Sequence, residues 1–306
     1  MSNITRRAVR KFRRGIKKSI DHCDRVVSGF YRLDSQKELL ETNDWSVIIL
    51  LDACRADYFD RIRSGARPVR SLGRETSDWV QAFSEMARSW GKELLWVTAN
   101  PVVDDELAAF GSRTGLITLR VWESDWDYHT EMKIPSVHPS RVNRAVEEYV
   151  KEHGQPERMI VHYLQPHSPY IGDFPLAVAV WGWMPDDFSK EASDLPAPDE
   201  AIERRAIGWS ELRRAYRENL KLVMPYVEDL CARLDGKVVI TADHGELLGE
   251  LGRFGHHPQW PSRVLETVPW LELENGEFSP SPVFRGETEG PAQDVLERRL
   301  RSLGYL

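Results

Sequence analysis

Two carboxylates and an imidazole stand where apolar runs end. Asp52 closes the run 46–52 (SVIILLD), and Asp243 closes the run 237–243 (KVVITAD), with His244 directly behind it. Such a set suits a divalent cation, with Zn²⁺, Mn²⁺, Mg²⁺ and Ca²⁺ all within its range. The plain alternative is that Asp243 caps the next helix while His244 faces solvent. A cation so held would lower the pKa of a neighbouring hydroxyl and stabilise negative charge on a phosphoryl or sulfuryl oxygen. That chemistry wants a nucleophile at the start of a helix, where backbone N–H groups welcome an anion. The segment 71–79 (SLGRETSDW) offers Gly73 for a tight turn, then Thr76, Ser77 and Asp78, which equally suit a plain helix cap. Gln-Pro-His-Ser-Pro-Tyr (165–170) and Gly-His-His-Pro (255–258) add His167, His256 and His257.

Placing these groups together requires a sheet. Apolar runs at 46–52, 93–99, 116–122, 158–164 and 237–243 read as strands. Helical spacing at 76–90, at 139–152 and within 201–234 separates several of them. Strands alternating with helices predict a mostly parallel α/β sheet covered on both faces. In such sheets ligands bind at the carboxyl ends of the strands, which is where the residues above lie. Residues 168–200 are rich in proline and aromatic side chains and lack periodicity, so they read as a functional loop or lid.

The 306 residues fit one large domain with a substantial core. The net charge of −7 conceals an uneven distribution: residues 1–18 hold eight Lys or Arg and no acid. With that +8 taken from −7, the rest of the chain carries about −15. Val9, Phe12, Ile16, Ile20, Cys23, Val27 and Phe30 form an apolar stripe through this basic stretch. It reads as an amphipathic arm over 1–44, ahead of a domain over 45–306. Its choices are to pack on the body, to lie on an anionic membrane through residues 1–30, or to bind a partner. An acidic body argues against nucleic acid. No apolar run is long enough to span a bilayer, and no signal peptide is visible. Three cysteines with no metal-site spacing point to a reducing compartment. The expectation is a cytoplasmic protein, peripheral at a membrane where the arm engages.

Taken in order, Leu-Asp-Ala-Cys-Arg (51–55), Gly-x-x-Thr-x-x-Trp (73–79), His-Tyr-Leu-Gln-Pro-His-Ser-Pro-Tyr (162–170), Ala-Asp-His-Gly-Glu (242–246) and Gly-His (255–256) resemble the alkaline phosphatase/sulfatase superfamily. The compact sulfatase-like proteins of archaea are the nearest match. The resemblance implies an alkaline-phosphatase-like three-layer sandwich acting on an anionic ester, phosphate before sulfate. It implies a metal held by Asp52, Thr76, Asp243 and His244, with Thr76 also the nucleophile. His167 and His256 match positions that contact the substrate or, in two-metal members, a second ion. His162 and His257 are adjacent candidates. Arg55 would pair with the ester or sit in a structural ion pair. Cys54 is followed by Arg-Ala-Asp, so the Cys-x-Pro-x-Arg of formylglycine sulfatases is missing. No full second ligand set is assignable, so a single metal is expected. Ser77 remains a rival nucleophile; the alternative functions are a catalytically silent metal- or ligand-binding protein of the same fold, and a membrane-surface transferase acting on lipid-linked or polymer substrates.

Overall fold

The computed structural model describes residues 33–42, 44–88, 90, 93–103, 106–107, 115–129, 134–176, 178, 195–257, 260, 262–274. The basic arm over 1–32 and most of the loop over 177–194 lie outside them. In chain order the elements are α1 (Gln36–Thr42), β1 (Val47–Leu51), α2 (Ala56–Phe59), β2 (Arg67–Arg70), α3 (Thr76–Ala87), β3 (Leu94–Thr98), β4 (Leu116–Arg120), α4 (Val121–Ser124), β5 (Trp126–His129), β6 (Ile134–Val137), α5 (Pro139–His153), β7 (Arg158–Tyr163), α6 (Pro198–Glu203), α7 (Trp209–Cys231), β8 (Val238–Ala242), β9 (Leu247–Leu248), β10 (Phe254–Gly255), α8 (Arg263–Glu266) and β11 (Thr267–Leu273).

Seven strands form the central sheet in the order β2-β11-β8-β1-β7-β3-β4. The five strands from β8 to β4 run parallel, and β11 and β2 close one edge antiparallel. Every side chain of β1, β3 and β8 is buried, so their uninterrupted Val, Ile and Leu runs are what a sheet covered on both faces demands. Alternation along the strands separates the two faces. On one face Trp96 meets Trp79 and Phe83 of α3 edge-on at 5.9 and 5.5 Å, and Thr241 bonds to Gln36 of α1. On the other, Tyr163 donates to Asn143 of α5, whose amide reaches the Tyr226 carbonyl on α7. This is the expected three-layer sandwich.

Ahead of β1, Leu40 is 1% exposed, Ser35 bridges to Arg70, and Gln36 reaches β8, so α1 packs against the sheet. The strand expected over 116–122 ends at Arg120, where α4 begins. The loop expected from 168 starts later. Asn219 of α7 accepts from the N–H groups of Ile171 and Gly172 and donates to the carbonyls of Pro166, His167 and Pro169, which fixes residues 166–172 to the body. Among the described residues no helix is long and apolar enough to cross a membrane. Cys54 and Cys231 are both buried free thiols.

Candidate active site

Asp52 follows β1, Asp243 and His244 follow β8, Asn100 follows β3 and His167 follows β7, so neighbouring parallel strands deliver one residue set to one edge. Thr76 arrives from the opposite direction as the first residue of α3. Gly73 makes its approach possible: a Cβ there would lie 2.6 Å from the Trp79 backbone nitrogen. Trp79, fully buried, then anchors the helix by stacking on Phe83 and donating to Gln36. The spacing Gly-x-x-Thr-x-x-Trp therefore encodes a turn, a presented hydroxyl and an anchor.

At the centre the Thr76 hydroxyl donates to Asp243 Oδ2 at 2.9 Å and lies 3.4 Å from His244 Nε2. Asp243 Oδ1 accepts from the N–H groups of Ala53 and His244, so the carboxylate cannot swing away. His244 Nε2 stands 3.4 Å from Asp243 Oδ2 and 3.8 Å from Asp52 Oδ1. Because His244 Nδ1 donates to the Gly245 carbonyl, its Nε2 keeps a lone pair facing the two carboxylates. Gly245 itself admits no side chain, since a Cβ would meet the Val264 carbonyl oxygen at 2.0 Å. Asn100 donates to Asp52 Oδ2 at 2.5 Å and lies 3.4 Å from the Thr76 oxygen.

The electrostatics of this cluster are those of a cation site. Burial, then the charge of Asp243, pushes the Asp52 carboxyl well above its usual range. Burial and the neighbouring His256 drive His244 well below its own. Two carboxylates and a deprotonated imidazole, all at most 1% exposed, are what a divalent ion would offset. The donor set fits such an ion.

A second cluster lies against the first. His167, Glu246 and His256 bring ligand atoms within 4.8 Å of one another, and the His256 ring is 4.2 Å from that of His244. Glu246 Oε2 is buried with no hydrogen-bond partner and faces His167 Nε2 at 3.7 Å. His167 Nδ1 donates to the Ser168 carbonyl, again leaving Nε2 as an acceptor. Burial alone would raise the Glu246 carboxyl, but His256 and His167 outweigh it and hold it below the usual range. Burial lowers His256, yet the charge and hydrogen bond of Glu246 prevail and keep it above 6.5. The sequence predicted no complete second set, and Glu246 supplies the missing member.

Between the clusters opens a cleft of about 130 Å³, lined among others by Asp52, Thr76, Ser77, Asn100, His167 and His256. Ser77 reaches this lining but makes none of the Asp243 or His244 contacts that hold Thr76. His162 is buried on β7, 3.9 Å from Asp52 Oδ2, with its ring pushed down to about 4 by burial. It underlies the cluster and does not reach the cleft lining. His257 is exposed beside Trp260, 5.6 Å between ring centres. Of the two roles open to Arg55, the described contacts are those of an ion pair: both oxygens of Asp57 at 2.9 Å, Glu250 at 2.7 Å and the Glu246 carbonyl accept from its guanidinium. The attraction of the two carboxylates holds the fork away from the cleft lining. Asn100 was missed altogether: an Asn two residues past a strand belongs to no motif.

No protein-family model matches the chain, and no curated protein matches it. Among solved structures it is similar to the soluble domain of lipooligosaccharide phosphoethanolamine transferase A from Neisseria meningitidis. The identity is 13%, 80% of this chain and 79% of that one are covered, and the TM-score is 0.54. It is also similar to the integral membrane form of that transferase, at 13% identity and a TM-score of 0.52, covering 81% of this chain and 49% of that one. The chain thus spans about half the length of the membrane protein. A Vibrio parahaemolyticus protein of the alkaline phosphatase superfamily has 12% identity over 78% of this chain and 62% of its own, with a TM-score of 0.45. At these identities the likeness to the transferase shows the fold alone, the three-layer α/β sandwich described above.

Proposed function

We propose that this chain is a metal-dependent transferase or hydrolase of phosphate esters that uses Thr76 as its nucleophile. The observation that carries the reading is the Thr76 hydroxyl at the first position of α3, 2.9 Å from Asp243 and 3.4 Å from His244 Nε2. Asp52, Asp243 and His244 would hold the metal, with the Thr76 oxygen completing the set. When bound, a divalent ion there supplies Lewis-acid activation of the hydroxyl and neutralises charge on a phosphoryl oxygen.

The protein groups do the rest. Asp243 takes up the Thr76 proton at Oδ2, which leaves an oxygen lone pair directed at the cleft. The Thr76 oxygen bonds to phosphorus as the bond to the leaving oxygen breaks. The start of α3 faces the anion with its N–H groups. Asn100 holds the Asp52 carboxylate in place. Glu246 keeps His256 able to carry a proton, which it gives to the leaving oxygen, while His167 positions the equatorial oxygens. Water, or an acceptor hydroxyl, then releases the phosphoryl group from Thr76. The transferase neighbour named above, matched as soluble domain and as membrane form, is a phosphoethanolamine transferase, which supports an acceptor hydroxyl beside water. A sulfatase mechanism is disfavoured because Cys54-Arg-Ala-Asp lacks the formylglycine pattern.

Aryl phosphate, phosphodiester and aryl sulfate substrates, each with Zn²⁺, Mn²⁺, Mg²⁺ and Ca²⁺, test this directly. Turnover of a phosphate ester is expected, and Thr76→Ala should cut kcat by roughly 10³-fold or more with the fold intact. Full activity in Thr76→Ala removes Thr76 as nucleophile. Silence across the whole panel with metal bound favours the binding-protein alternative.

A further inference from the structure

Gln36 lies outside the residues with any expected role, in the stretch that the sequence assigns to the arm. It is fully buried, and its amide spends its whole hydrogen-bonding capacity. Nε2 donates to Thr241 Oγ1 at 2.9 Å and to the Ala242 carbonyl at 2.9 Å. Oε1 accepts from Leu72 N at 3.0 Å and from Trp79 Nε1 at 2.8 Å. The amide orientation is unambiguous, because a flipped side chain would set its NH₂ against two donors. Thr241 passes its own hydroxyl proton to the Pro269 carbonyl at 2.7 Å, so its lone pair is free to receive Gln36. These bonds polarise one another in sequence.

What they join is specific. Ala242 is the residue before Asp243. Leu72 is the residue before Gly73, at the turn into α3, and Trp79 lies one helical turn after Thr76. One side chain thus ties the end of β8 to the turn ahead of α3 and to the residue that closes its first turn. We propose that Gln36 is a positioning residue that sets the register between Asp243 and Thr76. This rests on the reading that Thr76 is the nucleophile, but it also bears on the metal set, because Asp243 is placed by the same bonds. Loss of a comparable supporting contact around a metal site costs 10- to 100-fold in affinity or rate.

The test compares Gln36→Met with Leu40→Ala, a core change on the same helix that touches neither β8 nor α3 through hydrogen bonds. Two readouts are taken: kcat on the best phosphate ester, and the dissociation constant for Mn²⁺ by calorimetry, which needs no turnover. At temperatures well below both melting points, Gln36→Met should lower kcat about ten-fold or more with KM little changed, and weaken Mn²⁺ about ten-fold. Leu40→Ala should leave both within about two-fold, because lost core packing shows as lost stability. Should Gln36→Met fail to fold, Thr241→Val removes one of the four partners, with an expected loss of about five-fold in each readout.

If kcat and Mn²⁺ affinity survive in Gln36→Met, or fall equally in Leu40→Ala, the positioning role is overturned. If Thr76→Ala keeps its activity while Gln36→Met loses Mn²⁺ affinity, the nucleophile reading fails alone and the positioning of Asp243 stands.

Discussion

Replacing Asp243 by Asn keeps the size of the side chain but sets an NH₂ against one of three donors: Ala53 N, His244 N or the Thr76 hydroxyl. Bound divalent metal should fall by at least about ten-fold in affinity, together with rate. Metal analysis of the purified variant reads this, and unchanged occupancy would remove Asp243 from the ligand set. Asp52, Asp243 and His244 were legible because polar residues ending buried strands have one edge to go to. Thr76 was legible through its spacing to Gly73 and Trp79. Glu246 stood in view inside its motif without an assignable partner, since only the folded chain brings His167 and His256 to it. Asn100 and Gln36 gave no signal. Each acts through distant pairings, 48 residues from Asn100 to Asp52 and 206 from Gln36 to Ala242, and no local pattern records those.

Among the elements, α5 carries a pH response. Its N-cap is His138, whose Nδ1 accepts from Ser140 N. Burial first, then His129 and Arg141, pushes this imidazole down from 6.5 to about 4. Between those values the unfolded chain binds the extra proton and the folded one resists it. Stability contributed here is therefore whole above about 6.5 and declines as pH falls toward 4. His138→Asn keeps a good cap and removes the titration. Its melting temperature should drop less than that of the parent between pH 7 and pH 4.5, and parallel curves would count against the assignment. The five parallel strands were legible because each is a continuous apolar run. The antiparallel edge was not: β2 and β11 contain Pro68 and Pro269, and proline demotes a strand in any pattern reading. The two prolines face each other in the ladder, where neither has an N–H to give.

For the molecule as a whole, the division into an acidic body and a basic leading stretch locates the useful cut. Removing residues 1–32 should leave fold and turnover intact and abolish co-sedimentation with vesicles rich in anionic lipid. Equal pelleting of the two forms would exclude the arm as a membrane contact. Removal through residue 44 is a different operation, because it takes away Gln36 and the buried Leu40. Its turnover should collapse even with the vesicle contact set aside.

The bond between Gln36 and Thr241 closes over 205 residues of chain. During synthesis α1 emerges before β8 and waits for it, β8 being among the last strands of the described sheet to be made. Closure of so long a loop is slow relative to local helix formation. The Thr76 hydroxyl therefore gains its final setting only when β8 has left the ribosome. A nascent chain that has folded its first strands holds the hydroxyl but not the carboxylate that orients it. The setting of Thr76 is thereby tied to the synthesis of β8, and a chain that stops short of Asp243 lacks the carboxylate that receives its hydrogen bond.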